Sequence, residues 1–409
     1  MVTSRPATGR DAVLGVLPRI VYSPTTVEEC GRIVAQTARD KQAVAAIGGG
    51  TKLGLGSAPT ALDAVIRTEK LNRILEYAPS DMVMVAEAGV TLAQIQAVAG
   101  EKQQRLALDA PHPDRATVGG LVATGDFGPR RAAYGTVRDL IIGVTLVRAD
   151  GAVARGGGKV VKNVAGFDLP KVACSSLGTL GLIATASFRL HPLPEAEHTV
   201  LFEALSAAQV VSITQRIRAD QLEPSGSAAL RTPAGAFHLG VRFEGFHKGV
   251  AQQAAKLLAI GPSLGVTCTG LDDRAAHAFW QRHDEARTAG SLRLKLGALP
   301  SQLPRLCDLL APVFGALLGP TLAVYPMLGF GFVGGEVPED ARINSALNDL
   351  RKGLMAAGGS LVIDAAPPAV RSAVDPWGPP PPSFPLMRRM KSLFDPERRL
   401  NPGRFLGGL

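Results

Sequence analysis

Apolar residues recur along this chain in short runs punctuated by glycine, proline and capping signals. The run AVAAI at 43–47 reads as a buried strand that feeds Gly48, Gly49 and Gly50. Residues 64–66 and 82–86, LIIGVTLV at 140–147 and LIATASFRL at 182–190 read as further strands. Asp150-Gly151 predicts a hairpin turn, because glycine tolerates the positive φ such turns need. Thr25 with Glu28 predicts a capping box that opens a helix through about Ala38. Thr91 with Gln94 predicts a second box, with Gly100 as the helix stop.

The polar, proline-bearing stretch HPLPEAEH at 191–198 marks a boundary. Beyond it, strand-like runs (TVLFEAL, FHLGVRFEG, GVTCTG) alternate with helical ones (GVAQQAAKLLAI, ARINSALNDLRKGLMAAG). That pattern predicts an α+β domain. WGPPPPSFP at 377–385 is a stiff link ahead of the helical LMRRMKSLF and the tail DPERRLNPGRF. The expected organisation is residues 1–193 (core about 17–193), then 194–375, then a tail 376–409 that packs near the first domain.

Composition narrows the functional classes. At 409 residues the chain exceeds one ordinary domain, and 46% hydrophobic with 19% charged residues suits a sizeable core. The net charge of +9 is spread along the chain, without a basic stripe, and aromatics are few, so nucleic-acid binding is not expected. Cys30, Cys174, Cys268 and Cys307 are far apart, which gives no zinc or iron–sulfur spacing and suits a reducing cytoplasm. The start has no apolar stretch of signal-peptide type, and no run reaches about 18 apolar residues, so a cytoplasmic protein is expected.

The candidate chemistry lies in three glycine clusters. In IGGGTKLGLG, 47–56, bare glycines let successive backbone N–H groups turn toward one concavity, a nest for an anion such as phosphate. A plain turn between strands is the alternative; the buried strand before it and Thr51-Lys52 after it favour the nest. It is neither a Walker loop nor a GxGxxG fingerprint. ATVGGLVATGDFGPRRAAYG, 116–135, offers Thr117, Gly119, Gly120, Thr124 and Gly125, and SSLGTLGLIA, 175–184, offers Gly178, Gly181, Leu182 and Ile183. Each cluster touches a strand, and together they could converge on one long ligand. Gly261-Pro262-Ser263-Leu264-Gly265 matches GxSxG but lacks the strand–turn–helix order a serine nucleophile needs. His277 and His283 are poorly spaced for shared metal ligation, and no metal site is expected.

The order strand–GGGT, ATVGG, GPRRAAYGTVRDLIIG, KVVKNVAGFDLPKV and GTLGLI resembles the FAD-binding domain of the vanillyl-alcohol-oxidase family over about residues 17–193. GPRR at 128–131, Arg138-Asp139, Lys162 to Asp168, SLRLKLGALP at 291–300, Phe394-Asp395-Pro396 and Asn401-Pro402-Gly403-Arg404 resemble more narrowly the smaller FAD-binding subunit of bacterial glycolate oxidase. The resemblance implies a two-subdomain α/β FAD-binding domain followed by an α+β C-terminal domain. It implies that Gly48, Gly49, Gly50, Thr51 and Lys52 cradle the pyrophosphate. Thr117, Gly119, Gly120 and Thr124, with Gly125, would line the pyrophosphate and flavin side; Gly178 and Gly181 to Ile183 would border the other. Tyr134, Arg131 and Lys162 are further candidates for flavin contact, and Asp168 is either a structural cap or a flavin neighbour.

Departures refine this expectation. Leu177 stands where many relatives carry Glu, which removes one polar contact. The first loop has no His or Cys, so the resemblance implies non-covalent FAD. His-x-His and a late Glu-His-Gly, carried by relatives that oxidise 2-hydroxy acids alone, are absent. The implied role is the second flavin subunit of a glycolate-oxidising complex. Its partners would be a larger flavin subunit and an iron–sulfur subunit, with membrane contact through them. A free-standing FAD-linked dehydrogenase or oxidase and a non-catalytic flavoprotein scaffold are the alternatives. No catalytic residue is assigned.

Overall fold

A computed structural model describes residues 3–158, 167–339 and 342–409. The chain divides into two compact units: Met1–Gly128, Gly135–Leu193 and Pro379–Leu409 form the first, and Pro129–Tyr134 with Pro194–Gly378 the second. The last 31 residues therefore fold with the N-terminal unit, whereas Pro129–Tyr134, expected within the first domain, belongs to the second.

The first unit contains two main sheets. One orders its strands Ser4–Pro6, Ile20–Tyr22, Ala64–Arg67, Val44–Ile47; Ala64–Arg67 is parallel to both its neighbours, and Ser4–Pro6 is antiparallel to Ile20–Tyr22. The other is antiparallel and orders Ile74–Ala78, Val83–Glu87, Leu182–Arg189, Ile141–Val147, Val153–Gly157. Its near-continuous apolar strands are buried on both faces, as the sequence runs implied. Gly151, at φ +86°, makes the turn between the last two strands, and Asp150 Oδ1 accepts from the Ala152 amide at 3.0 Å.

Two local readings shift. The first capping box lies one residue later than expected: Thr26 caps the helix Val27–Arg39 and accepts from the Glu29 amide, while the Glu29 carboxylate accepts from the Thr25 amide at 2.7 Å. Both threonines could cap; burial of Cys30, Ile33 and Val34 selects the register. The stretch after Thr117 is a helix, Val118–Thr124, despite its two glycines. Val118, Leu121 and Val122 occupy one helical face and enter the core, so packing overrides weak propensity.

A buried carboxylate staples the N-terminal strand. Asp11 accepts from Arg5 at 2.8 and 2.9 Å, from Arg67 Nε at 2.8 Å and from the Thr8 amide at 2.8 Å. The hydrogen bonds from Arg5 hold its carboxyl far below the usual carboxylate range, against the upward push of desolvation. A depressed folded value means that this stabilisation is complete above the unfolded value near about 4 and fades as pH falls below it. The expected result is that Asp11→Asn lowers Tm at neutral pH and that the gap to wild type closes as pH falls from about 5 toward 2. Thermal scans across that range check it; a constant gap would count against the assignment.

The second unit is an eight-stranded antiparallel sheet. Its order is Cys268–Leu271, Ala196–Leu205, Phe237–Gly245, Gly226–Arg231, Leu318–Tyr325, Phe330–Glu336, Leu292–Gly297, Ser360–Ala365. Alternation sends Leu239, Val241, Phe243, Leu292, Leu294 and Leu296 to one face, where residues of the helices Ala207–Ala219, His247–Ser263, Leu303–Gly315 and Ile343–Ala356 pack on them. Gly261-Pro262-Ser263 is the last turn of a helix, and Ser263 Oγ donates to the Ile260 carbonyl at 2.7 Å, so the GxSxG match is not a nucleophile elbow.

Candidate functional site

The three glycine clusters, spread between residues 47 and 184 of the chain, line one cleft of the first unit. It encloses about 740 Å³ of free space, its solvent-open mouth included. The strand Val44–Ile47 delivers the first cluster to its floor. A Cβ on Gly48 would lie 2.2 Å from Thr117 Oγ1, and one on Gly49 would lie 1.7 Å from the Arg115 carbonyl oxygen. Gly50 adopts φ +73°. These positions demand glycine for contact in two cases and for conformation in the third. The amides of Gly49, Gly50 and Thr51 meet no acceptor among the described residues, which leaves successive donors for an anion. Lys52 lines the same cleft and pairs with Asp126 at 3.5 Å.

The second cluster contributes shape more than donors. Thr117 caps the Val118–Thr124 helix, with Oγ1 accepting from the Gly120 amide at 3.4 Å. The Val118 and Gly119 amides donate to the carbonyls of Val90 and Ala88, both at 2.8 Å. Thr124 Oγ1 donates back to the Gly120 carbonyl at 2.8 Å. With its first-turn amides engaged, this wall offers a bare glycine surface against which a flat ligand can lie. The third cluster enters through Leu177 at φ +51° and Gly178 at φ +68°. Leu177 is buried and lines the cleft where a carboxylate was the expected residue type.

Gly48 to Lys52, Thr117, Gly119, Gly120, Thr124, Gly178, Gly181 and Ile183 all line the cleft. The structure places the remaining candidates elsewhere. Gly125 ends the Val118–Thr124 helix in the left-handed region, its amide bonded to the Leu121 carbonyl at 2.9 Å. Leu182 alternates inward to the core beside Val147 and Ala184, because strand neighbours point to opposite faces. Tyr134 ends the short helix Arg131–Tyr134 of the second unit, where Arg131 lies over the Phe330 ring at 4.7 Å. Asp168 is the N-cap of Leu169–Ala173 and accepts from the Lys171 amide, outside the cleft lining. Lys162, Asn163 and Gly166 lie outside the described residues.

Three polar cleft residues were missed by sequence reasoning: Thr68, Asn401 and Arg404. Arg404 donates to the carbonyls of Leu53 and Leu55 at 2.9 and 2.7 Å, and so fastens the glycine loop. The signal existed in the tail motif Asn401-Pro402-Gly403-Arg404, but nothing in the chain's pattern says which loop the tail meets. Thr68 Oγ1 and Asn401 Oδ1 are buried without a hydrogen-bond partner among the described residues.

In the second unit a polar cluster occupies the sheet face opposite the apolar core. Arg130 donates to Glu244 at 2.7 Å, and the Arg242 guanidinium lies 4.4 Å above the Trp280 ring. Burial pushes the Glu197 carboxyl up, and Arg242 opposes that shift. His283 is buried and its Nε2 sits 2.8 Å from the Tyr325 hydroxyl, a filled core position. Among the described residues no group of three His, Cys, Asp or Glu could hold a metal ion. No described helix is long and apolar enough to cross a membrane.

The FAD binding domain family matches residues 18–157. The chain is 30% identical to D-lactate dehydrogenase of Archaeoglobus fulgidus over 94% of its own length and 90% of that protein. It is 32% identical to glycolate oxidase subunit GlcE of Escherichia coli over 64% of its length and 68% of that subunit. The chain belongs to this family of FAD-linked oxidoreductases. With subunit GlcD of Bacillus subtilis it shares 34% identity over 48% of its length, and the match spans 42% of that protein. Its fold is also that of p-cresol methylhydroxylase (TM-score 0.73, 18% identity, 95% of this chain and 88% of that one). Alkyldihydroxyacetonephosphate synthase shares it too (TM-score 0.71, 17% identity, 94% and 76%).

FAD is therefore the cofactor of this FAD-linked oxidoreductase, and the cleft residues fit it. The free amides of Gly49 to Thr51 and the ammonium of Lys52 suit a diphosphate. The bare Gly119-Gly120 wall suits a planar ring, and the unpartnered Thr68 and Asn401 atoms suit hydroxyl or N–H groups.

Proposed function

We propose that this flavoprotein oxidises a small 2-hydroxy acid, as the FAD-binding subunit of a glycolate-oxidising complex. The observation that carries the reading is likeness over most of the chain to a D-lactate dehydrogenase and to the GlcE subunit. D-2-hydroxyglutarate dehydrogenase of Bos taurus is similar over 95% of the chain at 27% identity, which keeps the substrate class to hydroxy acids. The absence of His-x-His and Glu-His-Gly from the sequence favours a subunit that works beside a second, larger flavin subunit. An iron–sulfur subunit would complete the electron path, since this chain has no clustered cysteines. The complex would sit in the cytoplasm or at the inner membrane face through its partners.

FAD supplies the redox chemistry when bound. The chain's residues hold and orient it. The Gly49–Thr51 amides and Lys52 would neutralise the diphosphate, Thr117 and Gly120 would shape the wall, and Ile183 would exclude water. Binding would be non-covalent, since none of the described lining residues is His, Cys or Tyr. Burial raises Cys30 to about 12 and Cys174 to about 11, which suppresses thiolate chemistry at both.

A second reading has its own support: the 90% span of a D-lactate dehydrogenase fits a free-standing dehydrogenase of another hydroxy acid. The visible spectrum of the purified chain, before and after acid precipitation, comes first. A flavin band that passes into the supernatant is expected; a yellow pellet would overturn non-covalent binding. Glycolate and D-lactate oxidation, measured with and without partner subunits, then separates the readings. Turnover of glycolate that appears only in the complex is expected, and turnover by the chain alone favours the second.

A further inference from the structure

The C-terminal tail reaches the cleft by a built route. The Val44 amide donates to the Arg399 carbonyl, and the Asn401 amide donates to the Val44 carbonyl, both at 2.8 Å. Leu400 pairs in parallel with Val44, so the tail extends the edge of the very strand that delivers the Gly48–Gly50 nest. Lys391 holds this arrangement from behind, donating to the carbonyls of Leu400 and Thr179 at 2.9 and 2.8 Å. Asn401 is thereby wedged between the nest strand and the 177–181 loop.

Its side chain has a fixed sense. Asn401 Nδ2 donates to the Leu177 carbonyl at 2.8 Å, and a flipped amide would set two oxygens against each other there. Oδ1 therefore faces away from that carbonyl and is buried without a partner among the described residues, in a residue that is 3% exposed and lines the cleft. A buried acceptor left unmet is costly, and native structures seldom keep one without a reason. Asn401 also adopts φ +47°, a conformation asparagine tolerates better than most residues.

We propose that Asn401 is a cofactor-contact residue: its Oδ1 accepts a hydrogen bond from a hydroxyl or ring N–H of FAD, and not from the diphosphate. An amide oxygen carries partial negative charge and would repel phosphate oxygens, so the donor belongs to an uncharged part of the dinucleotide. The inference rests on FAD occupying this cleft. It makes the tail part of the binding site, contributed from more than two hundred residues beyond the nearest glycine cluster. Cofactor uptake and tail docking are then coupled: each orders the other.

The test is FAD titration of apoprotein, followed by flavin fluorescence, for wild type, Asn401→Gly and Asn401→Asp. Glycine accommodates φ +47° and removes the acceptor. The expected result is an apo Tm close to wild type and a Kd for FAD raised about 10-fold or more. Asn401→Asp keeps an acceptor oxygen and makes the donor to Leu177 depend on pH, which separates the two sides of the amide. At pH 8 its carboxylate has no proton for the Leu177 carbonyl and binding is weak. As pH falls and the carboxyl protonates, O–H donates to Leu177, the other oxygen accepts from FAD, and affinity recovers. Wild-type affinity for Asn401→Gly, or a Kd for Asn401→Asp that does not improve at low pH, would overturn the proposal. Wild-type apoprotein that takes up no FAD would instead overturn the cleft as the cofactor site.

Discussion

Lys391→Met is expected to destabilise the first unit by about 3–5 kcal/mol and to release FAD. Lys391 is 1% exposed, and its ammonium donates to Asp395 Oδ2 at 2.7 Å as well as to two carbonyls. Burial lowers its pKa and the hydrogen bond to Asp395 opposes that shift. Methionine fills similar volume but leaves the buried Asp395 carboxylate with only the Arg399 and Leu400 amides, and orphans the Thr179 and Leu400 carbonyls. The strand-like docking of Arg399–Asn401 on Val44 then loses its rear support. Denaturant unfolding followed by flavin fluorescence and far-UV circular dichroism measures the loss. Lys391→Met combined with Asp395→Leu removes both charges and should recover part of it, because an apolar pair avoids the stranded carboxylate. An unchanged midpoint for the single variant would show that the tail is held by other contacts.

The second large effect is expected at the nest. Gly49→Ala should weaken FAD binding by roughly 100-fold, equivalent to about 2.7 kcal/mol. Its Cβ would lie 1.7 Å from the carbonyl oxygen of Arg115, a backbone atom that cannot rotate away. Relief requires moving either the nest, which lines the cleft, or the segment that leads to Thr117, which also lines it. Gly50→Ala provides the contrast. Nothing lies within 4 Å of its added Cβ, and the penalty is only that of φ +73°, about 1–2 kcal/mol. Titration of both apoproteins with FAD checks the order. Equal affinities, or a weaker Gly50→Ala, would mean that the nest geometry does not depend on the approach of Gly49 to Arg115.

The cleft is bounded by the loop that follows Val44–Ile47, the helix Val118–Thr124 and the loop that leads into Leu182–Arg189, all anchored in the cores of the first unit. The buried elements fix where each segment begins or ends, and glycine fixes how closely two segments approach. The tail adds a latch: Lys391 and Arg404 donate to backbone carbonyls and so fasten loops that line the cleft.

The sequence by itself determined the elements whose signal is local. Alternating and continuous apolar runs defined the strands at 44–47, 141–147 and 182–189, and the Thr91–Gln94 box defined the start of Leu92–Gly100. The glycine clusters were legible because close backbone approach leaves only one residue type. The tertiary structure decided three matters that no local pattern contains. It selected Thr26 over Thr25 as cap by burying Cys30 and Ile33. It turned Gly119-Gly120 helical by packing Val118, Leu121 and Val122. It brought Asn401 and Arg404 to a cleft built from residues 46–183, because the tail's edge pairing with Val44 and the buried charge of Lys391 are long-range contacts. Local propensity acts over a few residues; the energy that places the tail comes from partners more than two hundred residues away.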